Sequence, residues 1–307
     1  MANRTPEYLK SDDKVAIVAS ARKITASELV PALDVIKNWG LEPVLGPNVY
    51  SVDRQFAGTD EERAADLQWA MDDPEIKAII FARGGYGTVR ILDLLDFSKF
   101  VERPKWLAGF SDLTILFSHV LQNYQVESLH ASMCSRFFQN TPRSLSTMKN
   151  TLFGELEQLE GGTESIVQGE ASGVLMGGNL SMIYSSLGTT DQPDTQGAIL
   201  FLEDLDEHLY HIDRMAIALK RAGIFEQVNG MILGSLTDMR DKTIEHGFGD
   251  DDPFGRKAQE ILLEAIGRND IPICSGFPVG HIADNCAMII GRKIKMVVGK
   301  TTILNFV

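Results

Sequence analysis

The sequence predicts an α/β protein built on a parallel sheet, followed by a second region of different texture. Three observations carry this. Through the first half, short β-branched apolar runs alternate with helical patterns, the signature of βαβ units. Between about residues 140 and 169 the character changes, from NTPRSLSTMKN through a helical stretch to EGGTESIVQGEASG, which is rich in Gly, Ser and Glu. The chain then closes on CAMII, KIKMVVG and TTILNF, three strand candidates separated by short turns containing Gly291 and Gly299. A length of 307 residues exceeds the size at which one core usually keeps growing, so two domains are expected.

Taken in order, KVAIVAS (14–20) reads as the opening strand. Thr25-Ala-Ser-Glu28 is a capping box that opens a helix stopped by Gly40, and Thr59-Asp-Glu-Glu62 opens another that runs through Trp69 towards Asp72-Asp73-Pro74. KAIIFAR (77–83) and KWLAGF (105–110) are buried strands, each followed by a polar turn and a helix. Beyond the change of texture come the strand candidates VLM, AILFLE, GMILGS and PICSGF, interspersed with the helices HIDRMAIALKRAGI and GRKAQEILLEAIG. Short turns between the last three strands favour antiparallel pairing. The expected division is a domain over 1–148, a linker over 149–169 and a second domain over 170–307.

A formal net charge of -13 argues against nucleic acid as a partner, because such binding draws on clustered Lys and Arg, and equally against an anionic membrane surface. The start MANRTPEYLKSDDK lacks the apolar core of a signal peptide, so a cytoplasmic protein is expected. Three cysteines, Cys134, Cys274 and Cys286, form no C-x-x-C pair and read as small buried hydrophobes rather than a disulfide framework or a zinc site.

The strongest local chemical feature is LAGFSDLTILFSHVL (107–121), where a buried strand ends and Ser111-Asp112 sits at the turn before a helix. A serine hydroxyl there stands at the carboxyl end of a parallel strand, beside a helix N-terminus that favours developing negative charge, with the Asp112 amide available to an oxyanion. It resembles a nucleophile elbow, except that Leu113 stands where G-x-S-x-G has its last glycine. Either residue also suits a plain helix cap. ARGGYGTVR (82–90) again follows a buried strand; its paired glycines let an amide approach a ligand as a second oxyanion donor, or simply make a tight turn. It fits neither the dinucleotide nor the P-loop pattern.

A nucleophilic serine needs a base. His119 falls inside the helix after Ser111, His130 ends the strand-like VESLHA as a neighbour of the site, and His246 lies in the polar loop IEHGFGDDD. His208 and His211 are spaced to share a helix face near Glu203, Asp204 and Asp213, but H-E-x-x-H is absent and no distant third ligand is marked, so no metal or other cofactor is expected. His281, in the loop GFPVGHIADN, suits a general base. Glu203 is the first polar residue after AILFL and would project from a strand end as the carboxylate that orients the imidazole.

The chain resembles the LD-carboxypeptidases of the S66 serine peptidase family, which includes murein tetrapeptide carboxypeptidases and microcin-immunity peptidases. The resemblance lies in ARGGYG (82–87), GFSDLT (109–114), GVLMGGNLSMIYSSLGT (173–189), ILFLEDLDEHLYHIDRM (199–215) and FPVGHIADN (277–285), spread over nearly the whole chain. It implies an N-terminal flavodoxin-like α/β domain carrying the nucleophile Ser111 and a smaller β-rich C-terminal domain supplying Glu203 and His281. By the same resemblance the amides of Gly85 and Asp112 form the oxyanion hole and the protein is a homodimer. The implied reaction is cleavage of an L,D peptide bond, releasing the terminal D-alanine of a muropeptide stem during cell-wall recycling. Two departures, Phe110 for the usual tyrosine and His130-Ala131-Ser132 for the family's His-Gly-Pro, bear on substrate detail rather than reaction type. The alternatives are a microcin-immunity-type peptidase acting on an aminoacyl-nucleotide analogue, with Tyr86 a candidate platform for a base, and a catalytically silent ligand-binding module. Joint retention of Ser111, Glu203 and His281 speaks against the latter.

Overall fold

The computed structural model describes residues 3–241 and 253–307. His246 lies outside the described residues. The chain divides into two compact units, Met1–Glu157 with Ala283–Arg292, and Gln158–Ile282 with Lys293–Val307.

The first unit runs β1 (Lys14–Val18), α1 (Ala26–Asn38), β2 (Glu42–Leu45), α2 (Asp60–Asp72), β3 (Ile76–Phe81), α3 (Ser98–Glu102), β4 (Trp106–Gly109), α4 (Thr114–Tyr124), β5 (Ser128–His130) and α5 (Pro142–Leu152). Its parallel strands stand in the order β2-β1-β3-β4-β5, the flavodoxin-like arrangement, in which sites form at the carboxyl ends of the strands. Beyond Lys14 in β1 and Lys77 in β3 the central strands are apolar because helices leave neither face to water: Val15 to Val18, Ala78 to Phe81 and Trp106 to Ala108 are all fully buried. Both expected capping boxes are formed. Thr25 N–H donates to Glu28 Oε2 at 2.9 Å, and Thr59 N–H donates to Glu62 Oε2 at 2.8 Å.

The second unit holds β6 (Gln158–Gly161), β7 (Glu164–Val167), β8 (Gly169–Asn179), α6 (Leu180–Ser185), β9 (Ile199–Leu205), α7 (Leu209–Arg221), β10 (Gly230–Thr237), α8 (Ala258–Ile266) and β11 (Ile273–Ser275). The chain next contributes β12 (Met288–Ile290) to the first sheet, antiparallel to β5, before ending in β13 (Lys293–Val298) and β14 (Thr302–Phe306). Among the described residues the second sheet has eight strands, in the order β6-β14-β13-β8-β9-β10-β11-β7. Its two outermost strands, β6 and β7, are successive segments of chain parted only by Gly162 and Thr163, so the sheet wraps back on itself. β8 to β11 are mutually parallel, while β13 and β14 are antiparallel as the short turn requires.

Two expectations need correction. Residues 149–169 are not a linker: they end α5 and form β6 and β7, and their polar composition reflects strands of which only Leu159 is buried. CAMII does not pair with KIKMVVG. β12 returns to the first unit, where Arg292 is bound through two 2.7 Å contacts to the Glu127 carboxylate, so residues 283–292 depart from the expected 170–307 domain. The three cysteines are buried, and burial pushes their thiols up, to about 12 at Cys134 and about 11 at Cys274 and Cys286. No described helix is long and apolar enough to cross a membrane.

Candidate active site

In the first unit, β4 delivers the chain to Phe110 in extended backbone, and Ser111 then turns with φ 63° into a short 3-10 turn that leads to α4. A left-handed conformation at a residue with a side chain is disfavoured and concentrates at functional turns. Ser111 is 8% exposed, and Asp112 beside it is buried. The Asp112 carboxylate accepts the Thr88 N–H at 2.9 Å, fastening this turn to the loop after β3. That loop carries Gly85 (φ 112°) and Gly87 (φ 145°). A Cβ on Gly87 would stand 2.9 Å from Arg63 Nη1 and 3.2 Å from Ala21 Cα, so only glycine lets the loop lie this close to its support. Arg83 is ion-paired to Glu28 at 2.9 Å, and Tyr86 is exposed with its ring against Phe56. His130 ends β5 opposite Gly109, buried, its ring edge-on to Phe110.

In the second unit Glu203 lies near the end of β9, fully buried, and its Oε2 is 2.7 Å from His281 Nδ1. A carboxylate accepts only, so the contact fixes the proton on Nδ1 and leaves Nε2 as the basic nitrogen. The loop that presents His281 is fixed by its backbone: Ser235 N–H donates to Val279 C=O at 2.9 Å, Phe277 N–H to Leu233 C=O at 3.2 Å, and Ile282 N–H to Gly280 C=O at 2.9 Å. Gly280 has φ 112°, and a Cβ there would lie 2.7 Å from Glu203 Oε2. The structure therefore brings two of the sequence-derived residues, Glu203 and His281, into hydrogen-bond contact, and sets Ser111 on a strained strand-to-helix turn.

Asp204, next along β9, is also buried and accepts from Asn179 Nδ2 at 2.8 Å, Leu205 N–H at 2.8 Å and Ser181 N–H at 3.0 Å. Burial first, and the neighbouring Glu203 charge second, push its carboxyl up to about 7. His208 and His211 are not gathered into a ligand set. His211 Nδ1 contacts Glu207 at 2.5 Å, His208 stacks on Tyr210, and no group of three or more potential ligands that could hold a metal occurs among the described residues.

Residues 15–131 match the LD-carboxypeptidase N-terminal domain and residues 172–296 the LD-carboxypeptidase C-terminal domain. The chain belongs to the LD-carboxypeptidase family. Among its relatives, the probable murein peptide carboxypeptidase of Bacillus subtilis is 33% identical over 305 residues, covering 96% of this chain and 92% of that protein. The murein tetrapeptide carboxypeptidase of Pseudomonas aeruginosa is 30% identical over 297 residues, 92% of each. The crystal structure of muramoyltetrapeptide carboxypeptidase from Oxalobacter formigenes superposes with a TM-score of 0.83 at 28% identity, over 95% of this chain and 98% of that one. An MccF-like protein of Bacillus anthracis, at 22% identity and a TM-score of 0.85 over 99% of this chain and 100% of its own, shares the LD-carboxypeptidase fold.

Sequence reasoning passed over Arg63 and the Asp112 side chain, both buried. Arg63 had one available signal, a charged residue four positions after the Thr59 cap, on a helix whose buried face it joins.

Proposed function

We propose that this protein is a serine LD-carboxypeptidase that releases the terminal D-alanine of murein tetrapeptide. The observation that carries the catalytic part is the fully buried Glu203 carboxylate bonded to His281 Nδ1, which prepares an imidazole to take up a proton at Nε2. The substrate follows from the names of the relatives in Bacillus subtilis and Pseudomonas aeruginosa.

In this reading Ser111 Oγ attacks the carbonyl carbon of the diamino acid that precedes D-alanine, and its proton passes to His281 Nε2. The carbonyl oxygen becomes an oxyanion and accepts from the amides of Gly85 and Asp112. Collapse breaks the C–N bond, and His281 returns its proton to the departing D-alanine nitrogen. An acyl-Ser111 ester remains. Water then loses a proton to His281 and displaces the ester, and the serine recovers its hydrogen. Proton transfer requires Oγ and Nε2 to come within about 3 Å in the reacting complex. Glu203 holds the tautomer and stabilises the imidazolium.

The test is D-alanine release from purified murein tetrapeptide. Ser111→Ala is expected to fold normally and lose roughly a thousandfold or more in turnover. Equal turnover in the two proteins would remove Ser111 from the mechanism. An aminoacyl sulfamoyl adenosine offered in competition separates the microcin-immunity type, which would prefer it. We further read the enzyme as a cytoplasmic homodimer that recycles imported wall fragments; light scattering should give twice the chain mass of 33.9 kDa, and a monomer mass would discard the dimer.

A further inference from the structure

An oxyanion hole assembled from two loops needs something to hold the loops in register. The Gly85 amide follows β3 and the Asp112 amide follows β4, and the pairing of those strands ends at Ile80 and Ala108. Beyond that point the sheet no longer fixes one turn against the other. Preorganised donors must nevertheless be held within about half an ångström to be useful.

A buried polar network spans this gap, entirely within the first unit. The Asp112 carboxylate accepts the Thr88 N–H at 2.9 Å, and the Thr88 hydroxyl bonds the Ser20 hydroxyl at 2.8 Å. From α2, Arg63 Nη1 donates to Ser20 C=O at 2.5 Å and to Gly87 C=O at 2.9 Å, and its Nη2 pairs with Asp60. Asp60 is itself gripped by Arg90, and the Arg63 guanidinium lies 4.9 Å from the centre of the Phe56 ring. The ends of β1, β3 and β4 are thus tied to one another and to α2.

Ser20, Thr88 and Asp112 are each no more than 1% exposed, and the Arg63 side chain is wholly covered. Burial pushes the Asp112 carboxyl up, opposed by the Thr88 amide and hydroxyl, the Gly87 amide and the Arg63 charge. Removing a guanidinium and a carboxylate from water is expensive, and apolar side chains of like volume generally serve stability as well. Here, however, both side chains satisfy buried backbone groups, the Thr88 N–H and the Ser20 and Gly87 carbonyls, so what they hold is the course of the loop backbone itself.

We infer that the Asp112 carboxylate and Arg63 are positioning residues that fix the Gly84–Gly87 loop against the Ser111 turn, and so set the spacing of the two oxyanion donors. This rests on the proposed roles of the Gly85 and Asp112 amides.

The experiment compares Asp112→Ala, Asp112→Asn and Arg63→Met with wild type in D-alanine release. Folding is followed by circular dichroism, and affinity by inhibition with a phosphonate analogue of the tetrahedral intermediate. Because the donors act on the transition state, Asp112→Ala and Arg63→Met should lose between about tenfold and a hundredfold in kcat with KM changed by less than about threefold. Phosphonate affinity should fall by the same factor. Asp112→Asn keeps an acceptor for the Thr88 N–H and should recover most of the loss. Folded Asp112→Ala and Arg63→Met enzymes with wild-type kcat and phosphonate affinity would overturn the inference, as would a loss carried wholly in KM. Should Asp112→Ala fail to fold, Arg63→Met decides; should both fail, recovery in Asp112→Asn supports the latch and its absence refutes it. Reaction of wild-type Ser111 with a fluorophosphonate separates the two levels. Labelling at Ser111 beside unaffected variants sinks only this inference, whereas no labelling sinks the mechanism on which it rests.

Discussion

Replacing Glu203 with glutamine keeps the shape of the buried side chain and removes its charge. The carboxylate sits 2.7 Å from His281 Nδ1 and is fully buried, so bulk water does little to weaken the pair when the imidazole becomes charged. With charge centres about 4 Å apart and an effective dielectric near 20, the attraction is about 4 kcal/mol. That energy exists only once the proton has moved, so its loss falls on the transition state and lowers turnover by about a thousandfold. Glutamine can also donate to Nδ1, which would hold the proton on Nε2 and deepen the loss to about ten-thousandfold. The assay is D-alanine release at saturating tetrapeptide, with thermal unfolding measured alongside. Stability should be kept or raised, because an ionised group no longer has to be buried. An internal check is available: the Glu203 charge is one cause, after burial, of the raised Asp204 carboxyl, so Asp204 should titrate lower in the variant. Turnover within threefold of wild type in a folded Glu203→Gln enzyme would show that the pair does not act in the reaction.

Three further outcomes are expected. Gly280→Ala places a methyl at φ 112°, with its Cβ 2.7 Å from Glu203 Oε2, and should lower stability by about 1–3 kcal/mol and turnover with it; an unchanged melting temperature would refute the close approach. Asp204 titrates at about 7 in the folded chain against an ordinary 3.8, so the native state binds the extra proton and this group's contribution to stability is full below about pH 4 and lost as pH rises through about 7, on the order of 4 kcal/mol in all. Urea unfolding of Asp204→Asn at pH 4.5 and 7.5 should show the variant gaining relative to wild type at the higher pH, and a constant difference would refute the buried, proton-binding carboxyl. Ser111→Gly removes both the hydroxyl and the strain of φ 63°, and should melt higher than Ser111→Ala while equally inactive; the reverse order of melting would mean that the turn is relaxed.

What could be read from the sequence was what local chemistry decides. Thr25 with Glu28 and Thr59 with Glu62 are bonds within one helical turn, and both form. β1, β3 and β4 announce themselves because a parallel strand covered on both faces reads as a nearly continuous apolar run. Glu203 and His281 could be nominated because each follows an apolar strand, although 77 residues intervene between them and nothing local reports their 2.7 Å contact. What could not be read was pairing at a distance. β12 looks like the first arm of a terminal hairpin, yet its partner is β5, and the Arg292–Glu127 pair that holds it links residues far apart in the chain. β6 and β7 hide for another reason: both are outer strands with largely exposed side chains, so their composition reads as a loop.

The conformation of Ser111 shows why such a turn persists. A left-handed backbone costs a residue with a side chain roughly 1–2 kcal/mol, and an isolated turn would simply relax. Here it cannot. The residues before it, Trp106, Leu107 and Ala108, are fully buried in the centre of a parallel sheet, and those after it, Leu116, Phe117 and Val120, bury one face of α4. Each large side chain on either flank gains about 1.5–3 kcal/mol from burial, so shifting a flank to ease one dihedral would cost more than it returned. The strain is therefore held in place by the core rather than by contacts of Ser111 itself. Strand and helix also meet with only Phe110 to Leu113 between them, so the direction of the Ser111 hydroxyl and that of the Asp112 amide are set by a single reversal of the chain. A backbone that relaxed at 111 would move both groups together, and for that reason this turn has to be rigid even where rigidity is unfavourable.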